Sequence, residues 1–181
     1  VEVGVGPIIG VDVLVIDGVV AVVAGRGEDR RELRREPAGG PGGPGGWWIV
    51  FEPELHLGPD VIVPDQAGWR RERMPIFPDT AACTLAPDWT CEVISPKTGP
   101  IDRGRKMRIY ARERVPHLWI VDPILRTLEV YRLEGERWVV AGTHGGDETI
   151  RAEPFDAVEL HLGRWWVPIP DAASPVSGQR F

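Results

Sequence analysis

Cysteine is nearly absent from this chain of 181 residues, which contains only two. They are Cys83 and Cys91, and neither has a metal-ligand spacing or a positioned histidine beside it. A disulfide scaffold, a cysteine-based metal site and a thiol nucleophile are therefore disfavoured, and a reduced, cytoplasmic protein is the simplest expectation. No run approaches the roughly 20 apolar residues of a membrane span, which argues against an integral membrane protein.

Lysine is also scarce, since Lys97 and Lys106 are the only two among 21 basic residues. The formal net charge of −6 argues against a protein that coats nucleic acid with its whole surface. One dense basic run nevertheless occurs, comprising Arg103, Arg105, Lys106, Arg108, Arg112 and Arg114. Such a run is often only a solvated helix face, but it can also bind a polyanion.

Glycine and proline are plentiful, at 22 and 18 residues, and they are unevenly distributed. The segment over residues 39–46 contains only these two types and predicts a linker. Before it, Val11–Ala24 predicts a hairpin that turns at Asp17 and Gly18. We therefore expect an atypical N-terminal segment over residues 1–46, a folded domain over residues 47–170 and a flexible tail over residues 171–181.

Short apolar runs bounded by turn residues predict a domain made mostly of strands. One helix, Asp102–Glu113, is expected between two of these strands, whereas Gln66–Asp88 is polar and turn-rich and predicts a loop or a short helix. This order favours an α+β (α/β-like) fold, with a mixed sheet flanked by helices, over a sandwich. The predicted strands are Trp47–Phe51, Glu54–Leu57, Val61–Val63, Trp89–Ile94, His117–Val121, Leu128–Leu133, Trp138–Thr143 and Val158–Leu162.

Two carboxylates and a lysine stand where they could form one site. Asp65 follows a short apolar strand, and Glu92 lies inside a later strand, where a carboxylate is costly to bury unless it is paired, protonated or bound to a cation. Lys106 lies on the predicted helix, four residues from both Asp102 and Tyr110, so these three share a helical face. Two carboxylates with a facing lysine are typical of a site that holds a hard cation such as Mg²⁺ and a water nucleophile.

Each of these residues also has a simpler interpretation. Asp65 alone is typical of a turn at a strand end, Glu92 could pair with an arginine, and Lys106 could be solvated on its helix. Glu52 and Glu54 could approach the site from the first strand of the domain. No metal-ligand spacing relates the four histidines, His56, His117, His144 and His161.

The order of Pro-Asp, then a strand glutamate, then a helical lysine resembles the Uma-type family of putative restriction endonucleases. This family is a branch of the PD-(D/E)xK nuclease superfamily, and the similarity covers roughly residues 47–162. It is carried by Val63–Asp65, Glu92–Pro96, Asp102–Lys106 with Tyr110, and His117–Pro123.

The resemblance implies a restriction-endonuclease-like fold and a metal-dependent nuclease, with Mg²⁺ or Mn²⁺ as cofactor and nucleic acid, expected to be DNA, as substrate. Asp65 would bridge the metal, Glu92 would be the second ligand, and the backbone carbonyl of Val93 would complete the site. Lys106 would orient or activate the attacking water, or stabilise the charge that develops on the phosphorane. A homodimer stays open, because nucleases that cut both strands often pair.

Further residues would support this chemistry. Tyr110 would bond to Lys106 or to a phosphate oxygen, and Asp102 and Glu54 are further candidates near the site. The phosphate backbone of the nucleic acid would be bound by Arg103, Arg105 and Arg108.

The sequence departs from the family pattern in two places. Ile94 stands where the superfamily usually has its strand lysine, which implies that Lys106 takes over that function from the helix. Family members usually have a long helix after an Ile-Asp-Gly-like hairpin, whereas here Ile16–Gly18 is followed by the Gly/Pro-rich stretch. An inactive descendant of the fold that binds nucleic acid or protein is therefore the first alternative. A sugar-binding module, suggested by the eight tryptophans, is the second.

Overall fold

The computed structural model describes residues 46–78, 80, 82–95 and 102–166, and the backbone of residues 11–16 and 19–24. The two N-terminal strands, β1 (Val11–Ile16) and β2 (Val19–Ala24), pair in antiparallel fashion, as the hairpin prediction requires. The predicted turn at Asp17 and Gly18, most of the predicted linker and the predicted tail lie outside the described residues.

The remaining strands account for a little under half of the described chain, and the hairpin predicted near residue 135 is confirmed and longer than expected. In the described residues no helix is long and apolar enough to cross a membrane. In chain order the strands are β3 (Trp47–Phe51), β4 (Glu54–Leu57), β5 (Asp60–Ile62), β6 (Gln66–Arg70), β7 (Ala82–Cys83), β8 (Trp89–Val93), β9 (His117–Asp122), β10 (Thr127–Glu134), β11 (Arg137–Gly145), β12 (Thr149–Ile150) and β13 (Leu160–His161).

Six of these strands form a mixed sheet in the order β11-β10-β9-β8-β6-β3. β8 and β9 run parallel, and the other neighbours run antiparallel. Beside this sheet, β4 pairs with β5 and β7, and β12 pairs with β13. The last predicted strand, Val158–Leu162, is reduced to the two residues of β13. The strand ends before Leu162 because a 3₁₀ turn begins there.

The loop prediction for residues 66–88 is wrong over β6, which is a buried inner strand of the main sheet. β6 reads Gln-Ala-Gly-Trp-Arg and has no β-branched residue, so its sequence carries little strand signal. Its neighbours determine its conformation instead, because β3 and β8 supply hydrogen-bond partners along its two edges. Local composition indicates a loop here, whereas the sheet requires a strand.

The connection between parallel strands β8 and β9 contains the predicted helix, with a different beginning. Asp102–Lys106 forms a π-helical turn, and α1 continues from it over Met107–Arg112. The helical segment therefore ends one residue earlier than predicted, and its first turn is wider than an α-helix. Such π-helical turns occur often at functional sites.

The main sheet is covered on both faces, as the alternation of side chains along β9 shows. Trp119 and Val121 belong to one apolar cluster, and Leu118 and Ile120 belong to another. The second cluster contains Ile109 and Tyr110 of α1 together with Leu55, Leu57 and Ile62 of β4 and β5, so α1 and the small sheet cover that face. We call it the helix face.

The tryptophans pack mainly inside the protein. The rings of Trp89 and Trp119 meet edge to face with centroids 5.3 Å apart, and Phe155 packs edge-on against both. Six of the eight are less than 9% exposed, which removes the basis for the sugar-binding alternative at these positions. They are Trp47, Trp69, Trp89, Trp119, Trp165 and Trp166.

Candidate active site

The register between β6 and β8 places two carboxylates opposite each other. Gln66 pairs with Cys91 in this antiparallel ladder, so Asp65, which precedes β6, comes opposite Glu92. Because side chains alternate along a strand, Asp65 lies on the same face as Ala67, which belongs to the helix face. The sequence hypothesis that these two carboxylates approach each other therefore has a simple geometric origin.

Asp65 is held in place by β8, the strand that carries Glu92. Its Oδ2 accepts the backbone N–H of Val93 at 2.8 Å. An equivalent contact occurs at the other end of the same two strands, where Asp88 precedes β8 and its Oδ2 accepts the N–H of Arg70 at 2.8 Å. The two aspartates are thus related by the antiparallel pairing, and Asp88 also binds Arg73 at 2.6 Å.

Glu92 is completely buried, and both of its oxygens accept hydrogen bonds from the helical segment. Lys106 Nζ donates to Oε2 at 2.8 Å, and the Tyr110 hydroxyl donates to Oε1 at 2.5 Å. Burial raises the pKa of Glu92 to about 8, with Asp65 contributing in the same direction and Lys106 and Tyr110 opposing it. Glu92 therefore retains a proton in much of the neutral range.

Lys106 joins three parts of the chain. Besides Glu92, its ammonium donates to the backbone carbonyl of Val63 at 2.9 Å, two residues before Asp65. Only 17% of its side chain is exposed, so the interpretation of Lys106 as a solvated helix residue is wrong. Tyr110, one helical turn later, reaches the same carboxylate, as a shared helical face predicts; the structure gives it Glu92 as an acceptor, which the sequence analysis did not anticipate.

Asp60 is a residue near the site that the sequence analysis missed. It lies on β5 and accepts hydrogen bonds from Arg105 Nη2 on Oδ1 and from Arg112 Nη2 on Oδ2, both at 3.0 Å. The two arginines lower the pKa of Asp60, mainly through these hydrogen bonds. No local sequence pattern predicts this contact, because Arg105 and Arg112 are 45 and 52 residues from Asp60 in the sequence.

The arginines expected to bind phosphate differ in their surroundings. Arg103 makes a bidentate pair with Glu129 of β10, at 2.6 and 3.0 Å, and Arg105 is paired with Asp60. Arg108 is exposed and makes no ion pair with a described residue. Of the three, Arg108 is thus the one whose charge is not already offset by a described carboxylate.

The remaining candidates lie apart from these contacts or cannot be placed. Glu54 points to solvent on β4 and pairs with His56 at 2.6 Å. The side chain of Asp102 lies outside the described residues. Within the part of the chain that the structure describes, no group of three or more His, Cys, Asp and Glu residues is arranged to hold a metal ion, so Asp65 and Glu92 stand as a pair.

A mixed sheet with a helical crossover between its parallel strands, and with two carboxylates and a lysine gathered beside that crossover, defines a restriction-endonuclease-like domain. The chain belongs to the Uma2 family, described as putative restriction endonucleases, whose profile matches residues 27–163. A crystal structure from Anabaena variabilis ATCC 29413, described as a putative nuclease belonging to DUF820, has the same fold. It superposes with a TM-score of 0.55 at 17% identity, over 83% of this chain and 88% of the other. No curated protein matches the chain significantly.

Proposed function

We propose that this protein is a nuclease that uses Mg²⁺ or Mn²⁺ to hydrolyse phosphodiester bonds in DNA. The observation that supports the proposal best is the connected set of Asp65, Glu92 and Lys106, in which the lysine binds one carboxylate directly and the backbone beside the other. Membership in the Uma2 family agrees with a nuclease. The metal, the choice of DNA and the residue roles are our proposal.

The donor set fits a hard divalent cation. Mg²⁺ binds proteins through one or two carboxylates and keeps several waters, so Asp65 and Glu92 suffice as side-chain ligands. Burial disfavours the negative charge on Glu92, as its raised pKa indicates, and a cation would compensate for that charge. Asp65 and Glu92 would hold the metal, and we keep the backbone carbonyl of Val93 as the proposed third ligand.

Each protein group has a defined task in this proposal. A bound metal would polarise a phosphoryl oxygen and lower the pKa of a coordinated water. Lys106 holds Glu92 in place and sets a positive charge beside the carboxylates, where negative charge develops as the phosphodiester is attacked. Tyr110 fixes the other oxygen of Glu92, and the N–H of Val93 fixes Asp65.

Plasmid cleavage by the purified chain, with Mg²⁺, with Mn²⁺ and with a chelator, tests this function. We expect metal-dependent nicking or linearisation, and we expect Asp65→Asn to slow it at least about 100-fold, which corresponds to about 2.7 kcal/mol of transition-state stabilisation. The amide oxygen of asparagine can still accept the N–H of Val93, so the strand pairing is preserved. Unchanged cleavage in Asp65→Asn, or cleavage that persists in chelator, would contradict the proposal.

Asp88→Asn is the matched control, because Asp88 occupies the related position at the opposite end of the same strands. It should retain metal-dependent cleavage, which would show that losing a strand-capping carboxylate is not by itself inactivating. The inactive-descendant alternative predicts a different pattern: salt-sensitive DNA binding in all three proteins, with no turnover and no metal affinity.

A further inference from the structure

We propose that Asp60 is a positioning residue, which locks the segment leading to Asp65 against the helical segment that carries Lys106. The inference rests on the proposed function and adds to it a residue outside the carboxylate–lysine set. It also assigns Arg105 and Arg112 to the assembly of the site and not to phosphate binding.

Besides the apolar packing of the helix face, a row of hydrogen bonds from basic side chains joins the two segments. Arg112 Nη2 donates to the carbonyl of Leu57 at 3.2 Å and to Asp60, and Arg105 donates to Asp60. Lys106 continues the row by donating to the carbonyl of Val63. Three successive points between residues 57 and 63 are therefore bound to the same helical segment.

Asp60 is the one carboxylate in this row, and it supplies an oxygen to each arginine. Its side chain is 18% exposed, whereas those of Arg105 and Arg112 are 64% and 46% exposed. Asp60, the more buried partner, binds both long side chains, of which Arg112 also pairs with Glu113 at 2.8 Å. Asp60 is therefore the anchor of this contact on β5. Because each exposed pair is expected to stabilise the fold only slightly, we expect the main effect of the contact to be on the position of Asp65 relative to Lys106.

The link from Asp60 to the site is short. Val63 follows Asp60 by three residues and precedes Asp65 by two, and its carbonyl accepts from the same ammonium that binds Glu92. Freeing Asp60 would therefore loosen Asp65 with respect to Lys106 and Glu92. Misplacement of a reacting group by about 1 Å can reduce the rate about 100-fold.

The first test measures metal-dependent cleavage by Asp60→Asn. We expect kcat to fall at least about 10-fold while the KM for DNA stays equal or decreases, because the charge of Arg105 is released near the substrate whereas Arg112 keeps its pair with Glu113. The double variant Arg105→Gln/Arg112→Gln should lose kcat similarly, and adding Asp60→Asn to it should cause no further loss. Glu159→Gln removes an exposed pair with Arg151 and should leave kcat unchanged.

Phosphate binding by Arg105 and Arg112 would give the opposite pattern. Asp60→Asn would then lower KM with kcat unchanged, and the arginine variants would raise KM and reduce the salt dependence of binding. That result would overturn the inference.

A second measurement does not depend on activity. The N–H of Val93 binds Asp65, and the N–H of Arg70 binds Asp88 in the related position, so the two amides form an internal pair for hydrogen exchange. In Asp60→Asn we expect exchange of the Val93 amide to accelerate at least about 10-fold while that of Arg70 is unchanged. If the wild-type chain does not cleave DNA, the proposed function fails and this exchange experiment alone decides the role of Asp60. Equal protection of Val93 in both proteins would overturn that role.

Discussion

The hydroxyl of Tyr110 and the carboxylate of Glu92 form a 2.5 Å hydrogen bond between two residues that are both fully buried. Together with Lys106 on the other oxygen, this bond favours the charged form of Glu92. Burial and the nearby Asp65 favour the neutral form, and burial has the largest effect, so the pKa of Glu92 is raised to about 8. The protonation state of Glu92 at neutral pH follows from the balance between these effects.

Removing either donor should raise the pKa of Glu92 further. We expect a larger increase in Lys106→Met than in Tyr110→Phe, because Lys106 contributes a positive charge as well as a hydrogen bond. Carboxyl ¹³C NMR with labelled glutamate can follow the titration, and Glu92→Gln identifies the resonance. An unchanged or lower pKa in Lys106→Met would contradict this account of the balance.

The stability of the protein should decrease with rising pH because of Glu92. Its folded-state pKa of about 8 lies above the ordinary value of 4.5, so the folded state binds more protons than the unfolded state between these values. The stabilisation is complete below about pH 4.5 and is lost as the pH rises through about 8, by an amount on the order of a few kcal/mol. Glu92→Gln should lack this contribution, so its free energy of unfolding should increase relative to that of the wild type as the pH rises.

Urea unfolding of the wild type and of Glu92→Gln, at several pH values from about 5 to about 8.5, measures how the difference in their free energies of unfolding changes with pH. Glu159→Gln, which changes an exposed glutamate, should keep the wild-type pH dependence. Parallel curves for the wild type and Glu92→Gln would show that Glu92 titrates at the same pH in the folded and unfolded states.

Metal binding should release a proton at neutral pH. A divalent cation at Asp65 and Glu92 requires the ionised form of Glu92, whose pKa of about 8 leaves it mostly protonated at pH 7. Calorimetric titration with Mn²⁺ at pH 7 should therefore give an enthalpy that depends on the ionisation enthalpy of the buffer, and affinity should increase toward pH 8. Asp88→Asn should behave like the wild type, and a buffer-independent enthalpy would contradict the expected proton release.

Strong local patterns predict much of the fold. β3 and β4 have the predicted bounds, and the hairpin of β10 and β11 follows from two strand-like runs that flank Glu134–Glu136. The order of Asp65, the strand residue Glu92 and the helical Lys106 suggests one site, but the β6–β8 register that brings Asp65 opposite Glu92 involves a segment that the sequence predicts as a loop. Their roles in metal binding and catalysis stay predictions.

The features that the sequence does not reveal depend on distant partners. Asp60 is an ordinary turn-like residue until Arg105 and Arg112 fold onto it from the helical segment. The π-helical turn before Met107 has no local signature either, because Asp102–Lys106 fits an α-helix equally well. β6 is the clearest case, since a glycine-containing polar segment becomes an inner strand through its neighbours.

Gly68, in the middle of β6, should not tolerate a side chain. A Cβ there would lie 3.2 Å from Cε3 of Trp89 and 3.3 Å from Cε3 of Trp47, which is closer than ordinary van der Waals contact. Trp89 packs edge-on against Trp119 and Phe155 and has little room to move. We expect Gly68→Ala to lower the free energy of unfolding by about 1–3 kcal/mol, the usual effect of overpacking.

Urea unfolding of Gly68→Ala and of Gly104→Ala tests this expectation with a matched substitution. Gly104 lies in the π-helical turn, and a Cβ there would meet no described atom within 4 Å, so that variant should be neutral or slightly more stable. Because β6 begins directly after Asp65, Gly68→Ala should also weaken Mn²⁺ binding at temperatures where it remains folded. If Gly68→Ala were as stable as the wild type, the two indoles could move apart, and the glycine would not be the reason that this weak strand sequence fits between β3 and β8.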